Sequence, residues 1–315
     1  MQIARLLLSR CCCFPRSPQS ALRLLILSAL RLLILSALIV PGALAAQVKQ
    51  SKDIISFHLH DKYLILVQAS VNGTGPFTFL LDTGSTHTVI DPGLARQLQA
   101  PVIGEASLVT VSDVRKDRLV RLKEIRVGNS VVSELGAIID KMDDIKLRAP
   151  GIRGVLGEDF LSEFDMLIDY QARTLHFDGE APAGERCRIE TIGRYRDMPT
   201  TNRLLIDAEI KDVSGGTVQL QVDTAAKLPE LFPVRPGTSH YQPWAGSIAF
   251  SSGVNGRKIH PHTTIQVGTT QVSDLDLVQS RRGVAFDAVG LLPASMFHSI
   301  YISHSGGFVI LNPTQ

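Results

Sequence analysis

The run IRVGNSVVSEL at 125–135 returns as IQVGTTQVSDL at 265–275, and this repetition restricts the fold more than any other feature of the chain. Other landmarks keep nearly the same displacement. Leu80-Leu81-Asp82-Thr83 matches Gln221-Val222-Asp223-Thr224, Leu64-Ile65-Leu66 matches Leu204-Leu205-Ile206, and Gly154-Val155-Leu156 matches Gly290-Leu291-Leu292. Four matches in the same order imply a duplicated unit. The chain therefore reads as two homologous lobes, 47–182 and 183–315. The stretch DGEAPAGER at 178–186 supplies the glycine, proline and charge of a join.

Each copy is written in β-strands. Short runs rich in Val, Ile, Leu, Phe and Thr occupy 63–71, 77–81, 121–127, 131–139, 166–169 and 174–177, with Asn72-Gly73 and Gly128-Asn129 as turn signals. One helical turn is expected over 158–164, where Phe160, Leu161 and Phe164 share a face. The expected class is all-β, with two barrel lobes related by a pseudo-twofold axis.

Ahead of the lobes, a basic stretch ending at Arg31 is followed by an apolar run from Leu32 to Val40, then Pro41-Gly42 and Ala43-Leu44-Ala45. This is the pattern of an export signal over 1–46, and it places the mature body outside the cytoplasm, in a periplasm or secreted. The octapeptide ALRLLILS occurs twice, at 21–28 and 29–36. That lengthens the apolar stretch and makes an uncleaved membrane anchor the competing reading. Five of the 32 basic side chains and three of the four cysteines lie in this segment. The remainder holds 27 basic against 30 acidic groups, so nucleic-acid binding has no electrostatic support. Only Cys187 is left there, which excludes an intramolecular disulfide and a cysteine zinc cluster.

The chemistry-bearing segment is Phe79-Leu80-Leu81-Asp82-Thr83-Gly84-Ser85. An apolar strand runs into an aspartate, and a glycine then permits a tight turn, so a carboxyl is presented at the end of rigid structure. Alone, the same tripeptide also suits an aspartate that only caps a turn. The duplication changes the balance, because Asp223 occupies the equivalent place in lobe two. Two carboxyls brought together across a pseudo-twofold axis share one proton, since close like charges resist double ionisation. One then serves as base toward a water and the other as acid toward a scissile carbonyl.

These residues, with Gly154-Val155-Leu156-Gly157-Glu158-Asp159-Phe160-Leu161 and Leu167-Ile168-Asp169-Tyr170 downstream, resemble the bacterial retropepsin-like aspartyl proteases. The two-lobed arrangement is similar to that of pepsin-type enzymes. The resemblance implies an aspartic endopeptidase that binds an extended peptide or unfolded protein in a cleft between the lobes. It implies that Asp82 is catalytic, paired with Asp223; that Thr83, with its repeat Thr224, braces the two aspartate loops; that Gly84 lies under the carboxyls; and that Ser85 hydrogen-bonds the catalytic carboxyl. No cofactor and no metal are implied.

Lobe two departs from the pattern at three places. Ala225 stands where the first lobe has Gly84, Pro293 where it has Gly157, and Lys227 follows shortly after Asp223. The alanine reduces space near the carboxyls, the proline removes an N–H beside the loop, and a nearby cation would favour an ionised Asp223. These departures motivate an alternative, a catalytically inactive peptide-binding pseudoprotease. A third arrangement pairs lobe one with itself in a homodimer, where the leading reading is a monomer. Covering flaps are expected at 109–118 and 244–257. His58/His60 and His260/His262 each have strand spacing that suits a metal but lack a third ligand, and read as surface or strand-edge histidines.

Overall fold

Apolar runs that must bury both faces set the architecture. The computed structural model describes residues 54–110, 114–179, 181–182, 188–190, 204–211, 216–232, 245–248, 257–280 and 290–312, all within one compact unit. The expected export segment 1–46, residues 183–187 in and after the expected join, with Cys187, and Trp244 lie outside the described residues.

Lobe one opens with β1 (Ile54–Ser56), β2 (His58–His60), β3 (Leu64–Val71) and β4 (Thr74–Leu81). The β3–β4 turn is Asn72-Gly73, with φ of 50° and 74°, the doubly left-handed turn that matches strand twist. Then come β5 (Val89–Ile90), helix α1 (Pro92–Gln97), β6 (Val102–Thr110), β7 (Val114–Val127), β8 (Ser130–Ile139), helix α2 (Asp143–Arg148), β9 (Gly154–Leu156) and helix α3 (Glu158–Leu161). The first two helices escaped the sequence reading, and the third ends before Phe164. Helix α1 carried a readable signal: Pro92 sits in its first turn and the Asp91 carboxyl accepts from Leu94 N at 2.7 Å.

Strands β3, β4, β9, β5, β8 and β7 form a ring that closes where Ser70 on β3 faces Arg126 on β7. Phe79, Leu80 and Leu81 are wholly buried and parallel to Gly154–Leu156. A continuous apolar strand is what burial on both faces demands. Gly154 allows the close packing, since a Cβ there would collide with the Phe79 ring and lie 2.6 Å from Val89 O.

Next follow β10 (Met166–Asp169), β11 (Thr174–Phe177), β12 (Arg188–Glu190), β13 (Leu205–Ile210), β14 (Thr217–Asp223), β15 (Glu230–Leu231), β16 (Ala245–Ile248), β17 (Arg257–Val267), β18 (Thr270–Ser280), β19 (Gly290–Pro293), β20 (Ser299–Ser303) and β21 (Phe308–Leu311). Strands β13, β14, β19, β15, β18 and β17 close a second barrel that repeats the order of the first, strand for strand. Its Gly290, like Gly154, has no room for a Cβ, which would strike Glu230 O.

A six-stranded antiparallel sheet, β1-β11-β10-β20-β21-β12, draws on segments that follow both barrels. Hairpins β10–β11 and β20–β21 meet where Ile168 faces Ile300, and one apolar core runs through this sheet and both lobes. The fold is all-β with two lobes.

The expected lobe-one flap corresponds to the β6–β7 hairpin, whose tip at 111–113 lies outside the described residues. The segment expected to form a second flap differs in its described part. Strand β16 runs parallel to β6, with Ala245 opposite Ser107 and Ile248 opposite Thr110. Strand β6 would otherwise be an edge with open backbone groups, and the added strand satisfies them.

Candidate active site

Each barrel delivers an aspartate to the same seam. Asp82 follows β4 directly, its N–H donating to Leu156 O at 3.1 Å; Asp223 ends β14 opposite Pro293. Asp82, Thr83, Ser85, Asp223 and Thr224 are fully buried. The threonines reach across reciprocally. Thr83 N donates to Thr224 Oγ1 at 3.0 Å and Thr224 N to Thr83 Oγ1 at 3.1 Å. Each hydroxyl then donates onward, Thr83 to Val222 O at 2.9 Å and Thr224 to Leu81 O at 2.8 Å. Four hydrogen bonds thus tie the two loops into one rigid piece.

Residues 67–160 match the aspartyl protease family model. That stretch of lobe one, with Asp82 in it, is therefore similar to aspartyl proteases. Among solved structures, a retropepsin-like aspartic protease from Rickettsia conorii is 17% identical, with a TM-score of 0.31; the match covers 40% of this chain and 89% of that one. No curated protein matches the chain.

The carboxyls of lobe one and its repeat are held alike. Gly84 N donates to Asp82 Oδ1 at 2.8 Å, while Ala225 N and Ala226 N donate to Asp223 Oδ1 at 2.7 and 2.9 Å. A Cβ on Gly84 would lie 2.6 Å from Asp223 Oδ2 and 2.9 Å from Asp82 Oδ1, so this glycine lies against both carboxyls at once. The two Oδ2 atoms are buried with no donor among the described residues. The Asp82 carboxyl lies within hydrogen-bonding reach of that of Asp223. Burial drives Asp82 well above the usual carboxylate range, and the charges of Asp223 and Glu158 push it further against the pull of the Gly84 and Ser85 N–H groups. Burial also raises Asp223, more than the N–H groups of Ala225 and Ala226 lower it.

Ser85 differs from its expected role. Its hydroxyl donates to His87 O at 2.8 Å, and only its N–H turns toward Asp82. A serine so close in sequence to a tight turn bonds the local backbone more readily than a group ahead of it.

The departures of lobe two prove mild in place. Ala225 keeps its N–H on Asp223 and belongs to a small apolar cluster with Leu80, Leu108 and Val155. Pro293 is buried in β19 and lacks an N–H whose lobe-one counterpart, on Gly157, makes only a 3.4 Å contact to Thr88 Oγ1. Gly157 itself is needed in lobe one, because a Cβ would lie 2.5 Å from His87 O. Lys227 is exposed, and Asp223 is perturbed by other groups.

The carboxylates after the Gly157 segment have distinct uses. Asp159 braces the segment following the aspartate loop by accepting from Thr88 N at 2.9 Å and Thr88 Oγ1 at 2.7 Å. Asp165 gathers Ser303 and Ser305, and Asp169 accepts from Gln171 N and Ala172 N in a turn. Sequence reasoning missed Glu158, which bonds His304 Nε2 at 3.0 Å while His304 Nδ1 bonds Phe164 O at 2.7 Å. It also missed Gln221, although a glutamine at the place of Leu80 in an apolar strand was visible in the repeat. His60 bonds Arg148 O and His262 bonds Asp274, and no group of three metal-binding side chains occurs among the described residues.

Proposed function

We propose that the chain is an aspartic endopeptidase in which Asp82 and Asp223 activate one water for attack on a peptide carbonyl. The observation that carries this reading is the pair of buried carboxyls, one from each lobe, meeting against Gly84 and locked by reciprocal threonine hydrogen bonds. With one proton shared, the ionised carboxyl takes a proton from the water as its oxygen attacks the carbonyl carbon. The protonated carboxyl donates to the carbonyl oxygen, giving a tetrahedral diol without a covalent enzyme adduct. Collapse expels the amine, which takes up a proton, and the carboxyls regain their starting state.

The substrate is an extended peptide or unfolded protein lying between the lobes, and the working form is a monomer. The partner that a lobe-one homodimer would provide to Thr83 is already supplied within the chain by Thr224. The export-signal pattern over 1–46 supports action in a periplasm or outside the cell.

Cleavage of an unfolded protein by the purified chain from acid to neutral pH tests the proposal, with Asp82→Asn and Asp223→Asn alongside. Both variants lose cleavage if the dyad is intramolecular. Loss only in Asp82→Asn indicates lobe-one dimers, and an inert wild type indicates a binding protein. Activity requires a single proton on the pair, so the pH profile is a bell, and burial extends its alkaline limb toward neutrality.

A further inference from the structure

The seam is not symmetric. Two residues before Asp223 stands Gln221, 1% exposed, where the first lobe has the apolar Leu80 two residues before Asp82. A glutamine amide buried in a barrel strand is costly unless it is bonded. Its Nε2 crosses into the other lobe and donates to Thr83 O and Gly84 O, each at 3.2 Å. Leu80 returns nothing of the kind.

Those two carbonyls are not arbitrary acceptors. A peptide unit is planar and trans, so its C=O and N–H point in opposite directions. The unit that begins with Thr83 O ends with Gly84 N–H, which donates to Asp82 Oδ1 at 2.8 Å. The unit that begins with Gly84 O ends with Ser85 N–H, which bonds the Asp82 carbonyl at 3.2 Å and also favours the ionised Asp82 carboxyl. One amide therefore grips the far ends of both peptides whose near ends serve Asp82, and polarises them in the direction that strengthens the N–H donors.

We infer that Gln221 is a positioning residue for the proposed hydrolysis, holding the two peptide units after Asp82 so that their N–H groups stay aimed at the Asp82 side of the pair. The inference rests on the endopeptidase reading. Burial first, then the charges of Asp223 across the seam and Glu158 on α3, raise the Asp82 carboxyl. The oriented N–H groups are what oppose them.

The test compares the full chain with Gln221→Leu, which copies Leu80, and with Gln221→Met and Gln221→Glu. Gln221→Leu and Gln221→Met lower kcat roughly tenfold, the loss of one to two buried hydrogen bonds, with KM within about twofold. The alkaline limb of kcat/KM, where Asp82 gives up the shared proton, moves to higher pH in both. Gln221→Glu recovers activity only at acid pH, where its carboxyl carries a proton to donate. A change confined to KM, or a fall in kcat with the alkaline limb fixed, overturns the inference. Should Gln221→Leu fail to fold, the Met and Glu variants decide the question by the same readouts. A carboxyl-carbon NMR titration of Asp82 reads the effect without turnover: an upward move in Gln221→Met supports the role, and an unmoved titration refutes it. Should the wild type cleave nothing, the endopeptidase reading fails by itself, and the NMR titration still judges Gln221.

Discussion

Replacing Thr224 by valine keeps the shape of the side chain and removes only its hydroxyl. That oxygen accepts from Thr83 N and donates to Leu81 O, and both partners belong to fully buried residues. The substitution therefore strands one N–H and one C=O away from water. Each stranded group costs about 1–3 kcal/mol, so Thr224→Val should lose about 2–6 kcal/mol. That is a large share of the roughly 5–15 kcal/mol that holds a typical domain folded. In a protein of this size it lowers Tm by on the order of 10 °C. Thr224→Ser retains the hydroxyl and gives up one methyl, at a cost of about 1 kcal/mol. Urea unfolding of wild type and both variants measures the effect, as a lower midpoint at unchanged slope. The valine variant should also lose cleavage, because the loops no longer hold the carboxyls together. A Thr224→Val midpoint within about 0.5 kcal/mol of wild type would refute the claim that this hydroxyl locks the seam.

Gly84→Ala should abolish cleavage in a folded protein, since its methyl would intrude on both carboxyls, whereas Ala225→Gly should leave cleavage within a fewfold of wild type. Stability should fall as pH rises from about 5 to 8, as melting in matched buffers will show. Burial raises the carboxyls of Asp82, Asp223, Glu158 and Asp159, the last to about 7, and His304 is raised because Glu158 outweighs the burial that would lower it. The native state then holds more protons than the unfolded chain across this window, so each group's contribution is complete below its unfolded pKa and fades as pH passes the folded one. Asp91 and Asp165, held low by their hydrogen-bond and ionic partners despite burial, act oppositely but only in stronger acid; His87, lowered by burial, opposes the trend weakly near pH 6. Glu158→Gln removes a negative neighbour of Asp82 and should move the alkaline limb of kcat/KM to lower pH, the direction opposite to that of Gln221→Leu. An unmoved limb would show that Glu158 serves packing alone.

The fold was legible where local chemistry and duplication agreed. The IRVGNSVVSEL repeat became the β7–β8 and β17–β18 hairpins, with Val127 opposite Ser130 and Val267 opposite Thr270. The runs 166–169 and 174–177 became β10 and β11 without adjustment, because turn residues bound them on both sides. The two-residue strands β5 and β15 were invisible, since periodicity cannot register over so short a span. Helix α2 was hidden for another reason: its N-cap, Met142, is in a left-handed conformation and provides no side-chain cap. Strand β16 belongs to lobe two by sequence and to the lobe-one sheet by pairing, a long-range choice that no local signal records.

The site shows why a degenerate copy is a poor guide to a lost role. Compared residue by residue, Ala225, Pro293 and Gln221 all look like decay from Gly84, Gly157 and Leu80. Their surroundings differ, and so do the demands on them. Gly84 must lie against both carboxyls and Gly157 against the His87 backbone, so neither can carry a side chain. Ala225 needs only its N–H and has apolar neighbours for its methyl, and Pro293 forfeits a donor that its counterpart hardly uses. Gln221 adds two bonds across the seam that the first lobe cannot return. Once two copies are fused, each position is free to answer to its own neighbours, and the pair holds its geometry through unlike residues. What must remain common is what the reciprocal contacts require of both sides, an aspartate followed by a threonine, and that is the element the two lobes still share.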